Sequence, residues 1–136
     1  MRRLLLDTNV YSAFKRGEPM AVELVAHADE IVVNAVVLGE LVAGFVVGSQ
    51  ERRNREELTM FLASPRVRTV AVDDATAGFY ARLFALLRSK GRPIPTNDLW
   101  IAASALQHGL VLATFDGHFA AIEGLATEDA AAGLLP

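Results

Sequence analysis

Four carboxylates stand in stretches that disfavour charge. Asp7 closes the apolar run Leu4-Leu5-Leu6, and Glu40 is the only ionisable side chain in AVVLGELVAGFVV, residues 35–47. Asp98 opens the apolar segment DLWIAASAL, and Asp116 follows LVLATF. An ionised carboxylate beside a buried segment is costly unless it has a partner or a task. Each acid also has an ordinary role open to it. Asp7 suits a helix N-cap, Asp98 a helix first turn, and Asp116 an Asp-Gly turn, while Glu40 can face solvent or pair with an arginine. As a set they suggest chemistry. If they gather, each pair at about 5 Å repels by about 3 kcal/mol at an effective dielectric of about 20. Some must then be protonated, or a cation must sit among them. The chain has no cysteine and three scattered histidines. An all-oxygen donor set follows, which suits Mg²⁺ or Mn²⁺ rather than zinc. Such an ion neutralises a phosphate oxygen, acidifies a bound water and stabilises a leaving oxygen.

Gathering residues 109 positions apart requires a particular fold. Leu4–Leu6, Ile31–Val33, Val67–Val72 and Leu110–Ala113 read as strands. Val10–Arg16, Glu18–Ala28, Ala35–Val47, Gln50–Leu62, Ala75–Lys90 and a segment capped by Thr96 or Asn97 and ending at His108 read as helices. Residues 114–119 read as a turn with a short helix. Strands alternating with helices predict an α/β/α sandwich around a parallel sheet of four or five strands. Ligands bind beyond the carboxyl ends of such strands. Asp7 and Asp116 both follow strands at that edge, Glu40 lies on the helix after the second strand, and Asp98 begins a helix. All four can reach one cleft.

Composition narrows the setting. The 136 residues suit a single domain spanning 1–136, and an apolar content of 52% excludes a disordered chain. The net charge of −3 excludes a basic nucleic-acid coat. No apolar stretch has the roughly 20 residues a membrane span needs, and the start is too short for a signal peptide, so a cytoplasmic protein is expected. Eleven of the 13 basic residues are arginine, suited to bidentate phosphate contacts.

With LLLDTN, NAVVLGEL, TNDLWIAA and LATFDGHF in this order and spacing, the chain resembles PIN-domain ribonucleases over nearly its whole length. Within that family it resembles VapC-type toxins of type II toxin–antitoxin pairs. The resemblance implies a PIN-like fold and a metal site at Asp7, Glu40, Asp98 and Asp116, which would be the catalytic acids. Thr8, Asn9 and Thr114 would support them. It further implies Mg²⁺-dependent hydrolysis of RNA by an activated water, leaving a 5′-phosphate and a 3′-hydroxyl. A homodimer and a cognate antitoxin covering the site are implied as well. One departure falls at His118, where many relatives place another Asp or Asn.

RNA around an acidic pocket needs cations. Lys15 and Arg16 follow Asp7, and Lys90 and Arg92 lead into Asp98; these four are the candidates. Arg82 and Arg88 belong to the same net +4 segment, residues 75–97. Arg52, Arg53 and Arg55 read as a solvated helix face, and Trp100 as core. His118 is close enough to Asp116 in sequence for proton transfer. The apolar helix 36–47, or its neighbour carrying Arg52, is expected at a dimer or antitoxin interface. Two rival readings are a phosphoacceptor receiver and a non-catalytic partner-binding module. Asp7 is followed by Thr-Asn rather than an acid, and residues 110–120 hold no lysine, which disfavours the receiver. The presence of all four acids disfavours the module.

Overall fold

The computed structural model describes residues 2–122 and 125–129. Five strands, β1 (Arg3–Leu6), β2 (Glu30–Asn34), β3 (Val67–Val70), β4 (Val111–Thr114) and β5 (Thr127–Asp129), form one sheet in the order β3-β2-β1-β4-β5. Every pairing is parallel. Six helices accompany it: α1 (Thr8–Lys15), α2 (Pro19–His27), α3 (Ala35–Val47), α4 (Glu51–Leu62), α5 (Asp74–Ser89) and α6 (Thr96–His108). A 3-10 helix covers Gly117–Ala121. This is the expected α/β/α sandwich, with five strands.

Successive side chains of a strand face opposite sides of the sheet. Leu4, Leu5 and Leu6 are all buried, as are Ile31, Val32 and Val33. Both faces are therefore covered, which is how parallel sheets occur. The edge strand β3 departs from this. Its Arg68 and Thr69 are exposed, and Arg68 pairs with Glu30 across the edge at 2.8 Å.

The strand order carries the functional geometry. The chain runs outward from β1 to β2 and β3, then returns to lay β4 against the other side of β1. The carboxyl ends of β1 and β4 thus flank the point where the winding reverses, the place where open α/β sheets form ligand crevices. The pairing Leu6↔Ala113 brings these two ends side by side.

Helix starts follow local chemistry. Asp7 caps α1, Pro19 begins α2, and Asp73 caps α5 in a reciprocal box with Thr76. Gly109 closes α6 at φ +64°, a conformation that favours glycine. The predicted cap of α6 is corrected. Pro95 occupies that position without a side-chain bond, and its fixed φ starts the turn instead. Asn97 is thereby free to bond elsewhere.

Two packing expectations also change. Trp100 is half-buried, stacked on Tyr80 at 4.1 Å between α5 and α6, rather than fully inside. In α3 only Val37 and Leu41 are buried, and Val46 and Val47 are 53% and 87% exposed. An all-apolar sequence predicts a core helix, but α3 lies at the rim, where the described chain covers only one side of it.

The buried Asn34 ties α3 to α6. Its Oδ1 accepts from the Val37 N–H at 2.9 Å, and its Nδ2 donates to Ser104 Oγ at 2.9 Å. Asn34→Ala removes a cap and leaves Ser104 with an unsatisfied hydroxyl, so it should cost about 2 kcal/mol in urea unfolding. A loss below a few tenths would contradict this account.

Candidate functional site

Asp7 leaves β1 with its backbone N–H still in the sheet, donating to Ala113 O at 2.9 Å. Its side chain is only 5% exposed. Oδ1 accepts from the Thr8 N–H at 2.8 Å, and Oδ2 accepts from Thr114 Oγ1 at 2.7 Å. The Thr114 hydroxyl in turn accepts from the Asp116 N–H at 2.9 Å. One hydroxyl thus joins the acid after β1 to the acid after β4. Asn9 adds a second tie between these segments, its Oδ1 accepting from the Phe115 N–H at 3.3 Å.

Glu40 reaches the same place from the second turn of α3. Thr8 Oγ1 donates to its Oε1 at 2.7 Å, and Asn97 Nδ2 donates to its Oε2 at 3.3 Å. Asp98, in the first turn of α6, meets His118 Nε2 at 2.7 Å through Oδ2. The other ring nitrogen, Nδ1, meets Asp116 Oδ1 at 2.5 Å. The four acids are therefore drawn together by Thr8, Thr114, Asn97 and His118.

Their electrostatics match this proximity. The Asp7 carboxyl is pushed above the usual aspartate range, first by burial and then by the charges of Asp98 and Glu40. The bonds from Thr114 and Thr8 oppose the rise without cancelling it. Asp98 is raised as well, mainly by burial, with Asp116 and Glu40 adding and His118 opposing. A cluster in which burial and like charges both disfavour ionisation attracts a cation.

Two residues do more at the site than their spacing implies. His118 is not one of several scattered histidines, because its imidazole sits between Asp98 and Asp116. Asn97, taken for a cap, holds Glu40. Their signals were adjacency, Asn97 to Asp98 and Gly117-His118 to Asp116, but side-chain direction is invisible in spacing alone.

The basic candidates divide. Lys15 pairs with Glu57 at 3.7 Å and Arg16 with Glu18 at 2.6 Å. Arg92 lines a cleft of about 250 Å³ that His118 also lines. Lys90 is exposed at the end of α5. Arg52 and Arg55 form helix pairs with Glu56 and Glu51, as a solvated face should.

Comparison with known proteins converges on one group. The sequence model of the PIN domain matches residues 4–125. Ribonuclease VapC5 of Mycobacterium tuberculosis is 33% identical over 123 residues, 90% of each chain. Toxin FitB of Neisseria gonorrhoeae is 31% identical, covering 83% of this chain and 87% of its own. Among solved structures, DNA-bound VapBC from Salmonella typhimurium superposes with a TM-score of 0.83 at 26% identity, covering 96% of this chain and 99% of the other. VapBC2 from Rickettsia felis, bound to a promoter DNA fragment, gives 0.81 at 28% identity over 92% and 96%.

The raised Asp7 carboxyl has a consequence for stability. A group whose folded-state pKa is raised stabilises the fold when protonated and opposes it as pH rises beyond the ordinary value. Asp7→Asn keeps an oxygen acceptor and removes the charge. In metal-free buffer it should raise the melting temperature at neutral pH, with the gain shrinking as pH falls toward the ordinary aspartate range. An Asn variant less stable than the parent at neutral pH would count against the buried-charge description.

Proposed function

This chain belongs to the PIN domain family, and from that premise we propose that it is a metal-dependent endoribonuclease, the VapC-type toxin of a toxin–antitoxin pair. The observation that supports this most is the convergence of Asp7, Glu40, Asp98 and Asp116 at the point where the sheet's winding reverses.

In this reading the four acids hold a divalent cation, Mg²⁺ or Mn²⁺, and the donor set fits. Carboxylate oxygens suit hard cations, and the charge that burial makes costly at Asp7 and Asp98 is what a cation offsets. When bound, such an ion supplies a Lewis acid for a phosphodiester and a water of lowered pKa, giving a 5′-phosphate and a 3′-hydroxyl.

The chain's own residues do the positioning. Thr114 fixes Asp7 and, through its accepted bond, the Asp116 backbone. Thr8 and Asn97 hold the two oxygens of Glu40. Asn9 keeps the segment after β4 against the start of α1. Arg92 stands along the cleft beside His118, suited to a phosphate neighbouring the cut. Lys90 supports it from the same loop. Lys15 and Arg16 can serve RNA only by exchanging their present carboxylate partners for phosphates.

The partner reading rests on two supports. The structural neighbours include VapBC complexes, and α3 leaves Val46 and Val47 exposed in an apolar helix. We assign that surface to a homodimer or to the cognate antitoxin. No helix among the described residues is long and apolar enough to cross a membrane, and an RNA substrate favours a cytoplasmic location.

Asp7→Ala and Asp98→Asn should each reduce cleavage of RNA in Mg²⁺ by at least about a hundredfold, and relieve growth inhibition, with circular dichroism unchanged. Thr114→Val should slow cleavage by about tenfold or more, since it removes the hydroxyl that joins Asp7 to the Asp116 backbone but leaves all four acids. Wild-type rates in both acid variants would refute the assignment.

A further inference from the structure

We propose, resting on the metal-site reading above, that His118 is itself a ligand of the ion, and that its nitrogen shifts the site's preference from Mg²⁺ toward Mn²⁺. Among the described residues, the part of the acidic site already spaced to hold an ion is Asp98, Asp116 and His118, with Asp7 and Glu40 outside that spacing. Their ligand atoms all lie within 4.8 Å of one another. Neighbouring ligands of a six-coordinate ion at about 2.1 Å stand about 3 Å apart. The 2.7 Å separation of His118 Nε2 and Asp98 Oδ2 is close to that spacing. Coordination would replace the Nε2–Asp98 hydrogen bond with an ion shared by the same two atoms.

The two ring nitrogens have different surroundings. A metal-ligating imidazole donates its other N–H to a carboxylate or carbonyl, which fixes the tautomer and the ring plane. Asp116 Oδ1, at 2.5 Å from Nδ1, is placed to accept a hydrogen bond from that N–H. Nε2 is then the ligating atom, beside Asp98. Asp116 keeps its second oxygen for the ion.

The ring is also held before any ion arrives. The His118 backbone N–H donates to Asp116 Oδ1 at 3.2 Å. Its ring stacks on Phe119 at 5.1 Å with the planes 28° apart, and Phe119 is fully buried. A fixed imidazole beside fixed carboxylates forms a mixed nitrogen–oxygen donor set. Mg²⁺ takes oxygen donors almost exclusively, whereas first-row transition ions accept imidazole. Mn²⁺ accepts carboxylates as Mg²⁺ does and takes imidazole more readily, so a nitrogen ligand favours it over Mg²⁺.

The test uses the full chain freed of metal and then loaded with Mn²⁺ or Mg²⁺ alone. Pulsed electron paramagnetic resonance of bound Mn²⁺ should show nitrogen modulation from a directly coordinated imidazole, and His118→Asp should abolish it. Calorimetric titration should show that His118→Asp lowers the preference for Mn²⁺ over Mg²⁺ by about tenfold or more. Bound Mn²⁺ without nitrogen coupling in the wild type overturns the proposal, and that reading does not depend on how a variant folds. An unchanged ion preference in a folded His118→Asp protein overturns it too. Asp98→Asn separates the two levels of the argument. If Mn²⁺ binding needs Asp98 but shows no nitrogen, only the role of His118 fails. If wild type takes no Mn²⁺, or Asp98→Asn takes it equally well, the metal-site reading fails with it.

Discussion

Like-charge repulsion among carboxylates, one of them almost wholly removed from water, is the constraint to which the rest of this structure answers. Asp7 is buried, Asp98 is partly so, and each feels two of the other acids. Left alone, such a group would take up protons or splay apart. The surrounding chain does neither passively. Thr8, Thr114 and Asn97 supply donors to specific oxygens, and His118 stands between Asp98 and Asp116. These donors hold the acids in place, yet the Asp7 and Asp98 carboxyls stay raised above the usual aspartate range.

The sheet makes this arrangement possible by its winding order. Because β4 returns to the flank of β1 opposite β2, two strand ends that are far apart in sequence become neighbours. Asp7 and Thr114 then need only a hydroxyl to meet. α3 and α6 bring Glu40 and Asp98 to the same edge, and the buried Asn34–Ser104 bond fixes these helices against each other. A stability cost at the acids is thus carried by an apolar sheet whose central strands are covered on both faces. Storing destabilisation at a site and offsetting it in the core is a general feature of functional proteins.

Much of this was legible in the sequence because it depends on periodicity and on strand ends. The run Leu4–Leu6 followed by Asp7, and Val111–Thr114 followed by Asp116, announce their positions. So does Glu40, isolated in apolar company. What spacing could not convey is direction. Nothing in TND says that Asn97 turns to Glu40 rather than capping its helix, or that Pro95 takes over the start. Nothing in FDGHF says that the His118 ring folds back between two acids. Likewise, the composition of α3 implies burial, yet which of its faces the rest of the chain covers is a tertiary matter. The short strand Thr127–Asp129 lies in a tail that carries no strong pattern, and its place comes from pairing with β4.

The apolar rim of α3 and the acidic cleft share one helix, since Glu40 belongs to α3. If the acids share a cation, the ion sits in the cleft between them. Diffraction from crystals soaked in Mn²⁺, with data collected to give anomalous differences, tests it directly. The account predicts a strong peak contacted by Asp7 and Asp98 carboxylate oxygens at the carboxyl ends of β1 and β4. Peaks only on surface acids, with that position empty under saturating ion, would contradict it.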